Sequence, residues 1–345
     1  MPTYNREAAS RAASTLNPSS SRTDPADHSA VREGAAIGAV APRAQIAVAG
    51  PDRAAYLQGL LTNDIQALTP GTGCYAAWLT PQGRMLTDMH VLQSAGMILL
   101  DLPADLASST LARLDQFLFS EDVRLESLEE SMTSVWVHGP RAAEVITAVV
   151  SGFSRTLNDW ADYEHDTATF DGNPVSVARI DQLGVPGYSV FLARTAEERF
   201  TAAVIAAGAR VVPSEAIHAA RIEAGYPVFG VDMTDDTIPL EAGIENRAIS
   251  FTKGCFVGQE VVIRVVHRGG GRVARRLVGL NLAETVSPGA KILSGAKEIG
   301  FITSVAVSPD RGPIALGYVH RDFTAAGTTV QVDGRSAVVS ALPMK

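Results

Sequence analysis

Hydrophobic and polar positions along this chain follow first a mixed period and then a purely short one. Residues 43–49, Arg-Ala-Gln-Ile-Ala-Val-Ala, alternate in the manner of a strand. Gly50-Pro51-Asp52 follows and predicts a helix start, with proline near its first position. Ala55, Leu57, Leu60 and Leu61 give that helix an apolar side. Residues 73–80 and 84–92 read as strands joined at the turn signal Pro81-Gln82-Gly83, and 97–102 as a third strand. Leu106, Leu111, Leu114 and Leu118 recur at helical spacing and predict a helix over 104–118. The order then repeats: a strand at 132–138, a helix at 140–150, two strands within 175–192, a helix at 194–207 and another at 214–223. This is an α+β pattern, antiparallel sheets with helices packed on one face, in two related halves.

After residue 272 helical periodicity fades. Val273–Leu282, Ile299–Val307, Ile314–Val319, Thr328–Val332 and Ala337–Leu342 are short β-branched runs broken by Gly or Pro. A small antiparallel β-barrel is the expected solution. The boundary falls at Gly269-Gly270-Gly271, giving units at 37–271 and 272–345. Residues 1–36 are rich in Ala, Ser, Arg, Asp and Pro and lack an apolar core, so they read as a disordered tail rather than a secretory signal. Arg6 and Arg11 would suit a transit peptide, but Glu7, Asp24, Asp27 and Glu33 make the stretch too acidic.

Composition narrows the function classes. A net charge of −8 gives no global field to attract nucleic acid. Cys74 and Cys255 are far apart, which excludes a disulfide scaffold, and no C-x-x-C or H-x-x-x-H spacing offers a metal cage. No run of 18 apolar residues predicts a membrane span. The expectation is a cytoplasmic protein with no metal site.

Four segments could carry chemistry. In Lys253-Gly254-Cys255-Phe256-Val257-Gly258-Gln259-Glu260, an extended loop would point Lys253 and Cys255 the same way, and the ammonium would favour a thiolate. The structural reading is a buried, inert cysteine beside a surface lysine. In Arg221-Ile222-Glu223-Ala224-Gly225-Tyr226-Pro227 a helix ends, and Glu223 stands on the solvated surface, offset by Arg221, or else points into a pocket. In the stretch 79–88, Asp88 shares a strand face with Leu86, which leaves its exposure open. The run from His267 to Arg276 is glycine-rich but lacks the lysine of a phosphate loop, so it reads as a linker. Glu260 and Arg264 are spaced as a surface pair.

Taken together and in this order, the segments resemble one family. Residues 46–52 with 57–64, then 79–88, then 221–227 with Ile238-Pro239-Leu240-Glu241, are similar to blocks of the glycine-cleavage T-protein superfamily. Residues 253–260 resemble the signature of its YgfZ branch. The resemblance spans 37–345 and implies a ring-like unit holding tetrahydrofolate, followed by the barrel. It implies Glu223 and Asp88 as folate-binding residues, with Gly258, Gln259 and Glu260 beside them, and Lys253 and Cys255 as the branch's functional pair. It also implies a role in assembly or repair of iron–sulfur enzymes, tRNA-thiolating ones included, with iron–sulfur assembly proteins or client enzymes as partners. Thr87-Asp88 stands where the aminomethyltransferase has two aspartates, Cys255 where it has an aspartate, and Gln259 where it has an arginine. Aminomethyl transfer is therefore the alternative, and a non-catalytic scaffold a third.

Overall fold

The computed structural model describes residues 23–268 and 272–344. It opens with helix α1 (Pro25–Arg32), capped by the Asp24 carboxylate, and the short strand β1 (Ala36–Ile37). Then come β2 (Arg43–Ala49), α2 (Arg53–Leu60), β3 (Thr72–Leu79), β4 (Met85–Gln93), β5 (Met97–Pro103), α3 (Ala107–Asp115) and β6 (Arg124–Ser127). Strands β2 to β6 form one antiparallel sheet in the order β3-β4-β5-β2-β6. Strand β4 is buried at every position but Leu86, polar residues included, which marks a sheet covered on both faces.

The second half supplies β7 (Met132–His138), α4 (Ala142–Val149), β8 (His165–Phe170), β9 (Asn173–Arg179), β10 (Gly187–Ala193), α5 (Glu197–Ala206) and β11 (Arg210–Val211). Its sheet runs β11-β1-β7-β10-β9-β8, with β1 and β11 parallel and the other pairs antiparallel. Helix α6 (Ser214–Ala224) ends at Gly225, whose φ of 71° closes the helix in the left-handed region. Three short helices follow, α7 (Pro239–Ala242), α8 (Glu245–Ala248) and α9 (Gln259–Ile263). Strands β12 (Arg275–Leu282), β13 (Lys291–Ser294), β14 (Lys297–Ser308), β15 (Gly312–His320), β16 (Thr329–Val332) and β17 (Arg335–Ser340) close the barrel. No helix of the described residues is long and apolar enough to cross a membrane.

One apolar core joins the two sheets. It takes Tyr75 and Leu79 from the first sheet, Trp136 and Phe191 from the second, and Phe229 and Phe256 from the excursion after α6. Helix α6 is buried on two sides: Ala219 and Ile222 pack on the barrel, while Ala216, Ile217 and Ala220 pack on α1. That sandwich explains why its polar residues are buried as well.

The structure corrects the extent of the tail. Thr23 to Ala36 are ordered chain: α1 lies on α6, and Asp27 pairs with Arg210. Their low hydropathy misled because the helix is fixed by charge pairs to residues far along the chain. Residues 1–22 and the glycine run 269–271 lie outside the described residues.

Candidate functional site

The pleat of the first sheet builds the site. Asp88 and His90 are two apart on β4 and share a face. Tyr75 on β3 stands opposite His90, His90 opposite Asp101 on β5, and Asp101 opposite Gln45 on β2. The result is a polar row across four strands, buried beneath the second sheet. Asp101 accepts from Gln45 at 2.9 Å and from Arg43 Nε at 2.6 Å, and His90 Nδ1 lies 2.8 Å from its carboxylate. Burial alone would raise Asp101; Arg43 and His90 outweigh it and hold the group below the usual carboxylate range. Burial, reinforced by Arg43, pushes His90 down and keeps its ring neutral at pH 7.

Asp88 is 4% exposed. Its Oδ2 accepts from the Tyr75 hydroxyl at 2.6 Å, while Oδ1 is buried with no partner. It lines a cavity of about 170 Å³ together with Arg43, Trp136, Gln182, Tyr226 and Phe229. A wider cavity of about 790 Å³, reaching the barrel, shares Gln182 and Tyr226 with the first and adds Arg247 and Arg276. The Arg247 guanidinium lies 4.5 Å from the Tyr226 ring centre and 5.2 Å from that of Tyr75. The two spaces share Gln182 and Tyr226; the smaller joins aromatic and aliphatic walls to Arg43, Asp88 and Asp105, and the wider adds Arg247 and Arg276.

Asp88 is the one sequence-predicted ligand residue that this pocket contains. Glu223 lines neither cavity. Its carboxylate accepts from Arg32 of α1, and His28 Nε2 lies 3.4 Å away. Burial would raise it, but His28, Ser308 and Arg32 bring it down to about 2. Nor does Arg221 offset it, for Arg221 is buried and donates to Asp232 at 2.8 Å and to the Ser304 hydroxyl at 2.7 Å. Glu223 therefore ties α1 to α6 through Oε2, while its Oε1 is buried with no hydrogen-bond partner. A group depressed from 4.5 to about 2 contributes stability that is full above pH 4.5 and lost as pH falls toward 2. The loss is at most about 3 kcal/mol, because each tenfold change in proton affinity is worth about 1.4 kcal/mol. Acid titration of the melting temperature should show that decline, and Glu223→Gln should flatten its part of it; an identical acid profile in the variant would remove Glu223 from the latch.

Segment 253–260 docks elsewhere. Gly258 (φ 86°) and Gly83 (φ 75°) face each other across the 79–88 hairpin: a Cβ on Gly258 would lie 2.6 Å from the Thr80 carbonyl oxygen, and one on Gly83 2.9 Å from Val261 Cβ. Here glycine serves close backbone approach rather than a ligand. Gln259 borders a small separate cleft with Phe251 and Phe256, and Glu260 pairs with Arg264 at 3.0 Å on the surface. Gly258, Gln259 and Glu260 thus line neither cavity of the Asp88 site.

Lys253 and Cys255 also separate. Lys253 is 8% exposed, and its Nζ donates to the carbonyls of Gln58, Leu61 and Asn63 at 2.6, 2.7 and 2.8 Å. All three donors of the ammonium are spent on the chain end of α2. Burial lowers it to about 8, against Asp64 and Cys74. The thiol within its field is Cys74, which burial pushes up to about 12. Cys255 is exposed. The loop therefore presents a surface thiol, and Lys253 holds the loop rather than the thiolate.

Sequence reasoning missed Arg43, His90, Asp101, Gln182, Tyr226 and Arg247. A signal existed for two of them: His90 and Asp101 are polar residues inside apolar runs that become β4 and β5.

Residues 3–253 match the family described as the GCVT N-terminal domain, and 275–345 the glycine cleavage T-protein C-terminal barrel domain. An aminomethyltransferase of Bacillus subtilis is 28% identical over 327 residues, covering 92% of this chain and 89% of its own. One of Cutibacterium acnes is 29% identical over 331 residues, covering 92% and 88%. The crystal structure of glycine cleavage system aminomethyltransferase T from Bartonella henselae superposes with a TM-score of 0.82 at 24% identity, over 94% of this chain and 91% of that one. At that identity the likeness is one of fold.

Proposed function

Because the chain belongs to the glycine-cleavage T-protein family, an N-terminal GCVT domain followed by the C-terminal barrel, we propose that it binds tetrahydrofolate or a one-carbon derivative and acts as a cytoplasmic accessory protein in iron–sulfur cluster assembly or repair. The single observation that carries folate binding is Asp88 Oδ1, a buried acceptor without a partner at the wall of a cavity. Such an atom costs stability unless a ligand donates to it. The residues fit a folate: Trp136, Tyr226 and Phe229 offer an apolar slot for a ring, Asp88 an acceptor for its N–H groups, and Arg247 and Arg276 cations for an anionic tail in the wider space. Bound tetrahydrofolate supplies amine nitrogens that can accept a one-carbon unit.

The accessory role rests on the YgfZ-like segment 253–260 and on Cys255 standing exposed, outside the lining of the Asp88 pocket. A surface thiol suits contact with a partner protein, an iron–sulfur assembly factor or client enzyme, better than transfer chemistry inside the pocket. In cells lacking the endogenous protein, Cys255→Ala should fail to restore the activity of iron–sulfur enzymes that the wild-type chain restores. Full rescue by the variant would remove the thiol from the function. The second reading, tetrahydrofolate-dependent aminomethyl transfer, is favoured by relatives of that name aligned over nine tenths of the chain. Folate-dependent release of ammonia from an aminomethyl-lipoyl protein would establish it instead.

A further inference from the structure

One side chain of the N-terminal helix joins two walls of the wider cavity. The loop between β9 and β10 contributes Gln182, Gly184 and Pro186 to that cavity, and the end of α6 contributes Ala224, Gly225 and Tyr226. Gln182 lines the smaller cavity as well. Backbone bonds close the loop at its base: the Ile180 N–H donates to the Gly187 carbonyl at 2.8 Å, the Gly187 N–H to the Asp181 carboxylate at 2.9 Å, and the Gly139 N–H to the Pro186 carbonyl at 2.8 Å. Between them Leu183 is fully buried in a small apolar core that α1 and α6 build with Val31, Ala216, Ile217 and Ala220. Arg32, in the last turn of α1, supplies the polar tie. Its Nη1 donates to the Leu183 carbonyl at 2.8 Å, and its Nη2 to the Ala220 carbonyl at 3.4 Å and to the Glu223 carboxylate. Gly184 shows how closely the two walls meet. A Cβ there would lie 3.5 Å from Ala224 Cβ and 3.7 Å from Arg32 Nη1, and its φ of 69° suits glycine.

The planar fork lets one residue serve both walls. A guanidinium carries donors on separate nitrogens in fixed directions, and here one nitrogen holds the loop while the other holds the helix. Arg32 itself lines neither cavity. We propose that Arg32 is a positioning residue for the ligand site, holding the Gln182 loop against the end of α6 so that these walls are set before a ligand arrives. A wall already in place removes the entropy of ordering it from the cost of binding. A site whose loop is displaced for part of the time binds more weakly, in proportion to the fraction lost. Helix α1, within a stretch whose composition reads as a tail, then belongs to the binding apparatus. The consequence for affinity rests on the folate reading above; the hold on the loop does not.

Two substitutions separate the hold on the loop from the latch to α6. Arg32→Met removes both and keeps an apolar stem. Glu223→Gln removes the ion pair but leaves Arg32 an oxygen to donate to and its bond to Leu183 intact. Hydrogen exchange of the free full chain at Ile180, Asp181 and Gly187, whose N–H groups close the base of the loop, reads the loop. Equilibrium titration with tetrahydrofolate, well below the melting temperature, reads the site. Arg32→Met should speed exchange at those amides and weaken binding roughly tenfold, the loss expected when a hydrogen bond to a charged donor is removed. Glu223→Gln should lower the melting temperature and leave exchange and affinity close to wild type. A side chain that only supported the fold would move both readings in step with stability. Equal effects of the two substitutions, or wild-type exchange or affinity in Arg32→Met, therefore overturn the inference. Absence of tetrahydrofolate binding by the wild type overturns the folate reading and the affinity consequence with it, while exchange still decides whether Arg32 holds the loop.

Discussion

Lys253→Met should destabilise the protein by about 3 kcal/mol or more, because it strands three carbonyls that now share one ammonium. Methionine fills much of the same volume, so the loss reads the polar contacts rather than a cavity. The carbonyls of Gln58, Leu61 and Asn63 sit where α2 runs out of its own donors. Lys253 thus acts as a cap supplied from a residue 190 or more positions away, and its Nζ also lies 5.1 Å from the Phe256 ring centre. Burying the charge has a cost, visible in its depressed affinity for a proton, which keeps the net value below three full hydrogen bonds to an ion. Thermal melts of wild type and Lys253→Met measure the effect. The rate at which a disulfide reagent labels Cys255 gives a second readout. With the clamp gone the loop loosens and labelling should not slow. If stability were unchanged and labelling slowed, Lys253 would be the thiolate activator that the two-residue spacing first suggested.

Much of the architecture was written locally. The helix ending at Gly225 and the strand pair around Pro81-Gln82-Gly83 lie within a residue or two of their expected bounds. The change of grammar after 272 predicted a barrel, and only β13 escaped among its strands, being four residues between turns. The strands β1, β6, β8 and β11 also escaped: three are only two to four residues long and carry no periodicity, and β8 is a largely polar strand at the edge of its sheet. What a local pattern could not show is which partner a polar side chain meets. Glu223 and Lys253 look alike in sequence as candidate chemistry, yet each is tied to a segment roughly two hundred positions distant. Gly258 suits a ligand on its spacing and instead faces Gly83. Asp88 was ambiguous on an apolar strand, and became the centre of the site once β3 and β5 had placed Tyr75 and Asp101 around it. Gln182 sits in a loop between β9 and β10 and has no motif; only tertiary structure brings it to Tyr226.

At the centre of the proposed folate site, Asp88 is a buried carboxylate with one oxygen unpartnered. Asp88→Asn keeps the shape and can still accept from Tyr75 through its remaining oxygen, but replaces the free acceptor with an amide that has no protein acceptor to meet. Losing a hydrogen bond to a charged group, and leaving the ligand's N–H unpaired, costs about 1.5–3 kcal/mol, roughly a 10- to 100-fold loss of affinity. The substitution should leave the melting temperature of the free protein close to that of the wild type, since the affected oxygen makes no internal hydrogen bond. Equilibrium titration of tetrahydrofolate against wild type and Asp88→Asn is the most direct measurement. Saturable binding by the wild type, weakened by one to two orders of magnitude in the variant, is the predicted result; saturable binding that the substitution leaves unchanged, or no binding by the wild type at all, would contradict it.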